Sequence, residues 1–137
     1  MRLILLFFFI VMACTPAKST PVVDKTAIAG PCSQNEPAHL TTFRTALLNR
    51  DYTTLAGSFD PQSTVALTAA EWQQYFDGFD QNGSTFLGLA YAGTCVGGGR
   101  TVSFYLQQVH HKDGTSHAEW TEIETSQNGL ILDFNQG

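Results

Sequence analysis

The stretch VSFYLQQVHHKDGTSHAEWTEIETSQNGLILDF, residues 102–134, decides how the chain is read. Two glycine turns, Asp113-Gly114 and Asn128-Gly129, separate three runs rich in β-branched and aromatic residues. Such dipeptides favour two-residue hairpin loops, because both positions accept a positive φ. Strands are expected over 101–111, 116–126 and 130–135. With Asp113-Gly114 as a loop, Lys112 faces Thr115, His110 faces His117, Gln108 faces Glu119, Leu106 faces Thr121 and Phe104 faces Ile123. With Asn128-Gly129 as the next loop, Gln127 faces Leu130, Thr125 faces Leu132 and Ile123 faces Phe134. Strand side chains alternate between faces. One face then collects Val102, Phe104, Leu106, Ile123, Leu130, Leu132 and Phe134, while Glu122, Glu124 and Asp133 fall on the other. Two independent turns agree on one apolar face, which is the expected core face. A fourth strand over 85–96 ends at Gly97-Gly98-Gly99, a turn whose register is open by one residue.

Upstream the pattern is helical. Leu40, Phe43 and Leu47 recur at helical spacing, so a helix is expected over 37–50 with Pro37 in its first turn. Asp51 is placed to cap a short second helix in which Tyr52, Leu55 and Phe59 share a side. Asp60-Pro61 stops it, and 64–67 is a short strand candidate. Thr68-Ala69-Ala70-Glu71 is a capping box for a third helix. Trp72, Tyr75, Phe76 and Phe79 give that helix a broad aromatic face, and Gly78 and Asn82-Gly83 end it.

The chain starts with Met1 and Arg2, followed by ten apolar residues, too few to span a bilayer. The run fits a secretory signal. Val11-Met12-Ala13-Cys14 resembles the lipobox of bacterial lipoproteins. That resemblance implies cleavage after Ala13 and a lipid on Cys14, the membrane as the anchoring partner, and a cell-envelope location, facing the outer membrane where the host has one. Three cysteines are an odd number for an exported chain. If Cys14 takes lipid, Cys32 and Cys95 remain to form a disulfide, the alternative being two buried free thiols. Residues 15–31, rich in Thr, Pro, Ala and Ser, read as a tether. The expected division is therefore signal 1–13, lipidated tether 14–31 and one domain 32–137. Without Arg2 the net charge goes from −5 to −6, and no basic stripe exists to bind nucleic acid.

Helix, short helix, short strand, capped helix, then an antiparallel meander ending in QNGLILDF resembles the nuclear transport factor 2-like superfamily, over most of residues 36–136. The resemblance implies an α+β, cone-shaped fold with three helices packed on a curved sheet of four main strands and a short one. It also implies a pocket between the layers and, in many relatives, pairing through the outer sheet face. The isomerase members use a Tyr in the first helix and an early-strand carboxylate. Here Phe43 and Val65 to Leu67 stand in those regions, so no catalytic residue carries over.

The expected register puts His110, His117 and Glu119 on one face with Gln108 and Thr121. Those residues and Tyr75 are the candidate lining of a pocket. The trio His110, His117 and Glu119 also suits a general base or a zinc ligand set, weighed against a solvated hairpin tip. No metal or other cofactor is assigned. Tyr105 and Trp120, expected on the opposite face, are candidates for a partner surface, including a homodimer. The reading that results is a cell-envelope binding or interaction domain without catalysis, for a small apolar or amphipathic molecule or a protein. Its rivals are a small hydrolase, isomerase or cyclase built on an inward His, and an immunity-type or assembly protein acting through the outer sheet face.

Overall fold

The computed structural model describes residues 32–136; the signal sequence, Cys14 and the tether lie outside them. Eight elements follow in order: β1 (Cys32–Ser33), α1 (Ala38–Asn49), α2 (Tyr52–Gly57), α3 (Ala69–Gln81), β2 (Thr85–Gly97), β3 (Arg100–His110), β4 (Ser116–Thr125) and β5 (Ile131–Gln136). The strands form one antiparallel sheet in the order β1-β2-β3-β4-β5, against which the three helices pack, an α+β fold.

Local chemistry explains the helix ends. In α2 the Asp51 side chain accepts from the Thr54 N–H at 3.1 Å and from its hydroxyl at 2.7 Å. In α3 the Thr68 hydroxyl accepts from the Glu71 N–H at 3.3 Å, while the Glu71 carboxylate accepts from the Thr68 N–H at 2.8 Å. α1 ends on Arg50, a left-handed residue with φ 54°, a conformation that disfavours a Cβ. The Arg50 guanidinium pairs with both oxygens of Asp80 at 2.6 and 2.7 Å and lies over the Phe76 ring, which ties the end of α1 to α3.

Residues 64–67 do not form the expected strand; they lie in the irregular segment between α2 and α3. Asp60 turns the chain there by accepting from the Gln62 N–H, and the Ser63 hydroxyl reaches the Leu132 carbonyl at 2.8 Å. The fifth strand is instead β1, which pairs Cys32 with Cys95 across to β2. The two sulfurs form a disulfide between positions 63 apart in sequence.

The β3–β4 register differs by one residue from the expectation. The His111 N–H donates to the Thr115 carbonyl and the Gly114 N–H to the His111 carbonyl. Lys112, Asp113 and Gly114 thus form a three-residue loop with Gly114 at φ 86°. A type I turn closed by a glycine bulge also uses an Asp-Gly pair, so the dipeptide fits both loop lengths. The pairs become Leu106–Trp120, Tyr105–Thr121 and Ser103–Ile123. A one-residue slip exchanges faces. Ser103, Tyr105, Gln107 and Val109 therefore face inward, all buried, and Val102, Phe104 and Leu106 point to the other face, where Val102 is buried as well.

The second turn is also a three-residue loop, with the Ser126 N–H donating to the Leu130 carbonyl. A bulge follows, because Thr125 pairs with Ile131 and Glu124 with Asp133, leaving Leu132 unmatched. The bulge restores the expected pairing of Ile123 with Phe134, whereas Thr125 does not face Leu132. Two further bulges in β2 leave Leu87 and Ala92 unmatched. Phe86, Leu89, Tyr91 and Thr94 consequently share the inner face at spacings of three, two and three.

The core joins Leu40, Phe43 and Leu47 of α1, Leu55 of α2 and Trp72 and Phe76 of α3 to Leu89, Tyr105, Ile123 and Ile131 of the sheet. Phe43 meets Phe59, Trp72 and Phe134 edge to face at 5.9 to 6.3 Å, a preferred aromatic geometry. Several of the polar groups inside are matched to partners. Thr94 and Ser103 share a 2.7 Å hydrogen bond, and the Tyr105 hydroxyl donates to Glu36 at 3.0 Å.

Candidate functional site

Between the helices and the sheet lies a cavity of about 210 Å³. Leu47, Phe59, Trp72, Phe76 and Phe134 make most of its wall, with Val65 and Leu67 from the irregular segment and Phe86 from β2. Its polar end is made by Tyr75, Gln107 and Gln136. The Gln107 side-chain N–H donates to Glu119 at 3.3 Å, and its oxygen accepts from Gln136 at 2.8 Å. Tyr75 hydrogen-bonds to Gln136; burial raises the pKa of its phenol, the nearby Glu119 charge adds to the rise, and the Gln136 bond opposes it. The indole N–H of Trp72 is buried with no hydrogen-bond partner among the described residues, as is the Thr121 hydroxyl. Unpaired buried polar groups are uncommon and costly.

Of the residues expected to line a pocket, Tyr75 lines this one. Thr121 and Glu119 face the helices, Thr121 buried against Tyr105 and Glu119 holding Gln107. Gln108 and His110 are corrections: the three-residue loop turns both outward, and Gln107 takes the place assigned to Gln108. His110 binds the Ser116 hydroxyl at 2.9 Å on the outer face. Tyr105, expected on a partner surface, is fully buried. Its hydroxyl belongs to a cluster in which Arg44 grips both oxygens of Glu36 at 3.0 and 2.8 Å. Burial, the Glu36 charge and the hydrogen bond to it raise the pKa of the Tyr105 phenol far above the ordinary tyrosine range. Trp120 remains on the outer face, 46 % exposed, beside a groove shared with Cys32, Gly93, Cys95 and Phe104.

The residue that joins His117 is His111, not His110. Diagonal neighbours on the inner side of the hairpin, their rings approach with His111 Nε2 2.9 Å from His117 Nδ1. The centroids are 5.2 Å apart and the planes differ by 10°. A nitrogen contact that short at that centroid distance leaves no vertical offset, so the rings lie edge to edge in one plane rather than face to face. His111 Nδ1 lies 3.1 Å from the Ser84 hydroxyl, and His117 Nε2 lies 3.5 Å from Glu119 Oε2. Ser84 is held at this corner by backbone bonds to the end of α3 and by Gly83, at φ 66°, against which the Lys112 stem packs. Reading the Asp-Gly turn as a three-residue loop would have placed His111 here.

Among the described residues, no group of three His, Cys, Asp or Glu side chains is arranged to hold a metal ion, and no helix is long and apolar enough to cross a membrane. The chain matches no family model, and no curated protein matches it.

Proposed function

We propose that the chain is a cell-envelope lipoprotein, anchored through Cys14, whose domain is nuclear transport factor 2-like and binds a small amphipathic molecule without transforming it. The observation that carries this reading is the cavity of about 210 Å³ with an aromatic and aliphatic wall and a carboxamide and phenol end. Ligand sites commonly take this form, apolar surface for affinity and a few polar groups for orientation. An apolar cavity of about 150 Å³ holds benzene, so this one suits a single ring with a short substituent. Gln107 and Gln136 each keep a free donor or acceptor to meet a hydroxyl or carbonyl. The disulfide supports export, since such bonds persist in oxidising compartments.

The test is titration with p-cresol and n-hexanol, followed by NMR of the Trp72 and Gln107 side chains. Saturable binding is expected in the wild-type protein. Val65→Trp, which fills the cavity from a segment outside the regular elements, should abolish it while leaving the urea midpoint near wild type. Equal binding by Val65→Trp, or no chemical-shift change at Trp72 and Gln107, would exclude the cavity as a binding site. Release of a mature chain whose first residue is acylated Cys14, read by mass spectrometry of membrane fractions, tests the anchor. An unmodified chain in the soluble fraction would sink it.

A further inference from the structure

We propose that Ser84 is a reactive hydroxyl, activated by His111, that accepts an acyl group from small activated esters. The proposal stands apart from the cavity, which neither Ser84 nor His111 lines, so either reading can fail without the other.

Proton positions along Ser84, His111, His117 and Glu119 follow from the donors and acceptors available. The Glu119 carboxylate, which has no proton to offer, favours the N–H of His117 on Nε2. His117 Nδ1 is then a lone pair, and at 2.9 Å it takes the N–H of His111 Nε2. His111 Nδ1 is left as a lone pair 3.1 Å from Ser84 Oγ, and the hydroxyl donates to it. With the carboxylate ionised and both imidazoles neutral, this direction satisfies every contact. A hydroxyl donating to an imidazole whose second nitrogen is held by a third group is the arrangement that activates a nucleophile. The coplanar rings let a proton leave His111 Nε2 along the line toward His117.

The step balances within these groups. Ser84 Oγ bonds to the acyl carbon as its proton passes to His111 Nδ1. The charge gained by His111 is stabilised by His117 and, beyond it, by Glu119. The bond from the acyl carbon to the aryloxide breaks, the aryloxide takes the proton from His111, and an ester of Ser84 and a phenol result. The N–H groups of Gly83 and Ser84 are already committed to the carbonyls of Asp80 and Phe79. They offer no stabilisation to a developing oxyanion, which restricts the substrate to esters with good leaving groups.

The experiment treats the protein with p-nitrophenyl acetate and maps acetyl groups by peptide mass spectrometry. One acetyl on Ser84 is expected, absent in Ser84→Ala. His111→Asn places an amide oxygen near the position of Nδ1, which keeps the hydrogen bond to Ser84 but cannot take its proton. It should slow acetylation about a hundredfold, the scale of general-base assistance. His117 is a positioning residue: His117→Asn, which restores an acceptor near Nδ1, should keep most of the rate that His117→Leu loses. The imidazole ¹⁵N spectrum of the unmodified protein reads the tautomers with no substitution. Nε2–H on both rings is expected, and an Nδ1–H on neutral His111 would overturn the proposal. Acetyl groups on Lys112 and not Ser84, or equal Ser84 labelling in His111→Asn, would also overturn it.

Discussion

Replacing Cys32 and Cys95 together by Ala probes how much of the stability resides in one covalent link. The link joins positions 63 apart, and the loop it closes contains all three helices and most of β2. In the chain-entropy description, closing a loop of that length removes about 4 kcal/mol of unfolded-state freedom at 25 °C. The folded partner is small by comparison. β1 has two exposed residues, and other contacts keep this segment in place. The Tyr91 hydroxyl lies 3.1 and 3.0 Å from the carbonyls of Ser33 and Asn35, and Glu36 is held by Arg44 and Tyr105. Cutting the link should therefore act mainly on the unfolded chain. A loss of about 4 kcal/mol is a large share of the roughly 5–15 kcal/mol typical of a domain. At about 4–8 °C per kcal/mol for a domain near this size, Tm should fall by about 15–30 °C. Urea unfolding followed by tryptophan fluorescence gives the same quantity directly, and the m-value should rise as the unfolded chain expands. Each single Cys→Ala variant should match the double one. A double variant within about 1 kcal/mol of wild type would refute the reasoning, because loop length would then not set the contribution.

Glu36→Gln should cost about 1–3 kcal/mol, the range for a hydrogen bond to a charged group with a partner left unpaired, measured by urea unfolding. The same carboxyl sets a pH dependence. Burial alone would raise its pKa, but hydrogen bonds from Arg44, Tyr105 and Thr41, with the Arg44 charge, outweigh burial and lower it. Its contribution is full above the unfolded carboxylate value and is lost as pH falls through the lower folded-state value; Glu36→Gln should flatten that acid limb. Ile123→Ala, at a fully buried position, should cost about 2–5 kcal/mol. Gly114→Ala tests the hairpin: nothing crowds the position and φ is +86°, so its cost of about 1–2 kcal/mol is conformational. Gly114→Asn should recover part of it, and equal stability of all three would argue against the glycine-closed loop.

Much of the helical half was legible because its signals are local. Asp51 and Thr68 with Glu71 cap their helices through side chains within three positions, and Leu40, Phe43 and Leu47 recur with the helical period. The cysteine pair was legible by counting. The sheet was harder, since its faces depend on loop length, and Asp113-Gly114 serves two-residue and three-residue loops alike. Apolarity pointed to the wrong face of β3. Phe104 and Leu106 are more hydrophobic than Ser103 and Gln107, yet the latter are buried because Thr94, Glu119 and Gln136 supply their hydrogen bonds. No local signal announces partners so distant in sequence. The error passed directly into the site, exchanging Gln108 for Gln107 and His110 for His111, and moving Tyr105 from a proposed surface into the core. The expected strand at 64–67 failed because the segment is set by a turn at Asp60 and by the Ser63 hydroxyl, which accepts from the Val65 N–H, rather than by a ladder.

The unmatched residues Leu87, Ala92 and Leu132 make the strands unequal in their tolerance of length change. Excising any one of them would leave the pairs on either side in step, so Phe86, Tyr91 and Phe134 would keep their faces, whereas excising a matched residue such as Leu106 would send one flank of its strand to the opposite face. The same excision in the Gly97-Gly98-Gly99 turn, where the chain is exposed, would shorten a connection. Gene libraries carrying single-codon deletions should thus show a sharp asymmetry, with survivors gathered at the turn and at three interior points that look, residue by residue, like ordinary strand, and losses at the matched positions of the bulge-free strand β3.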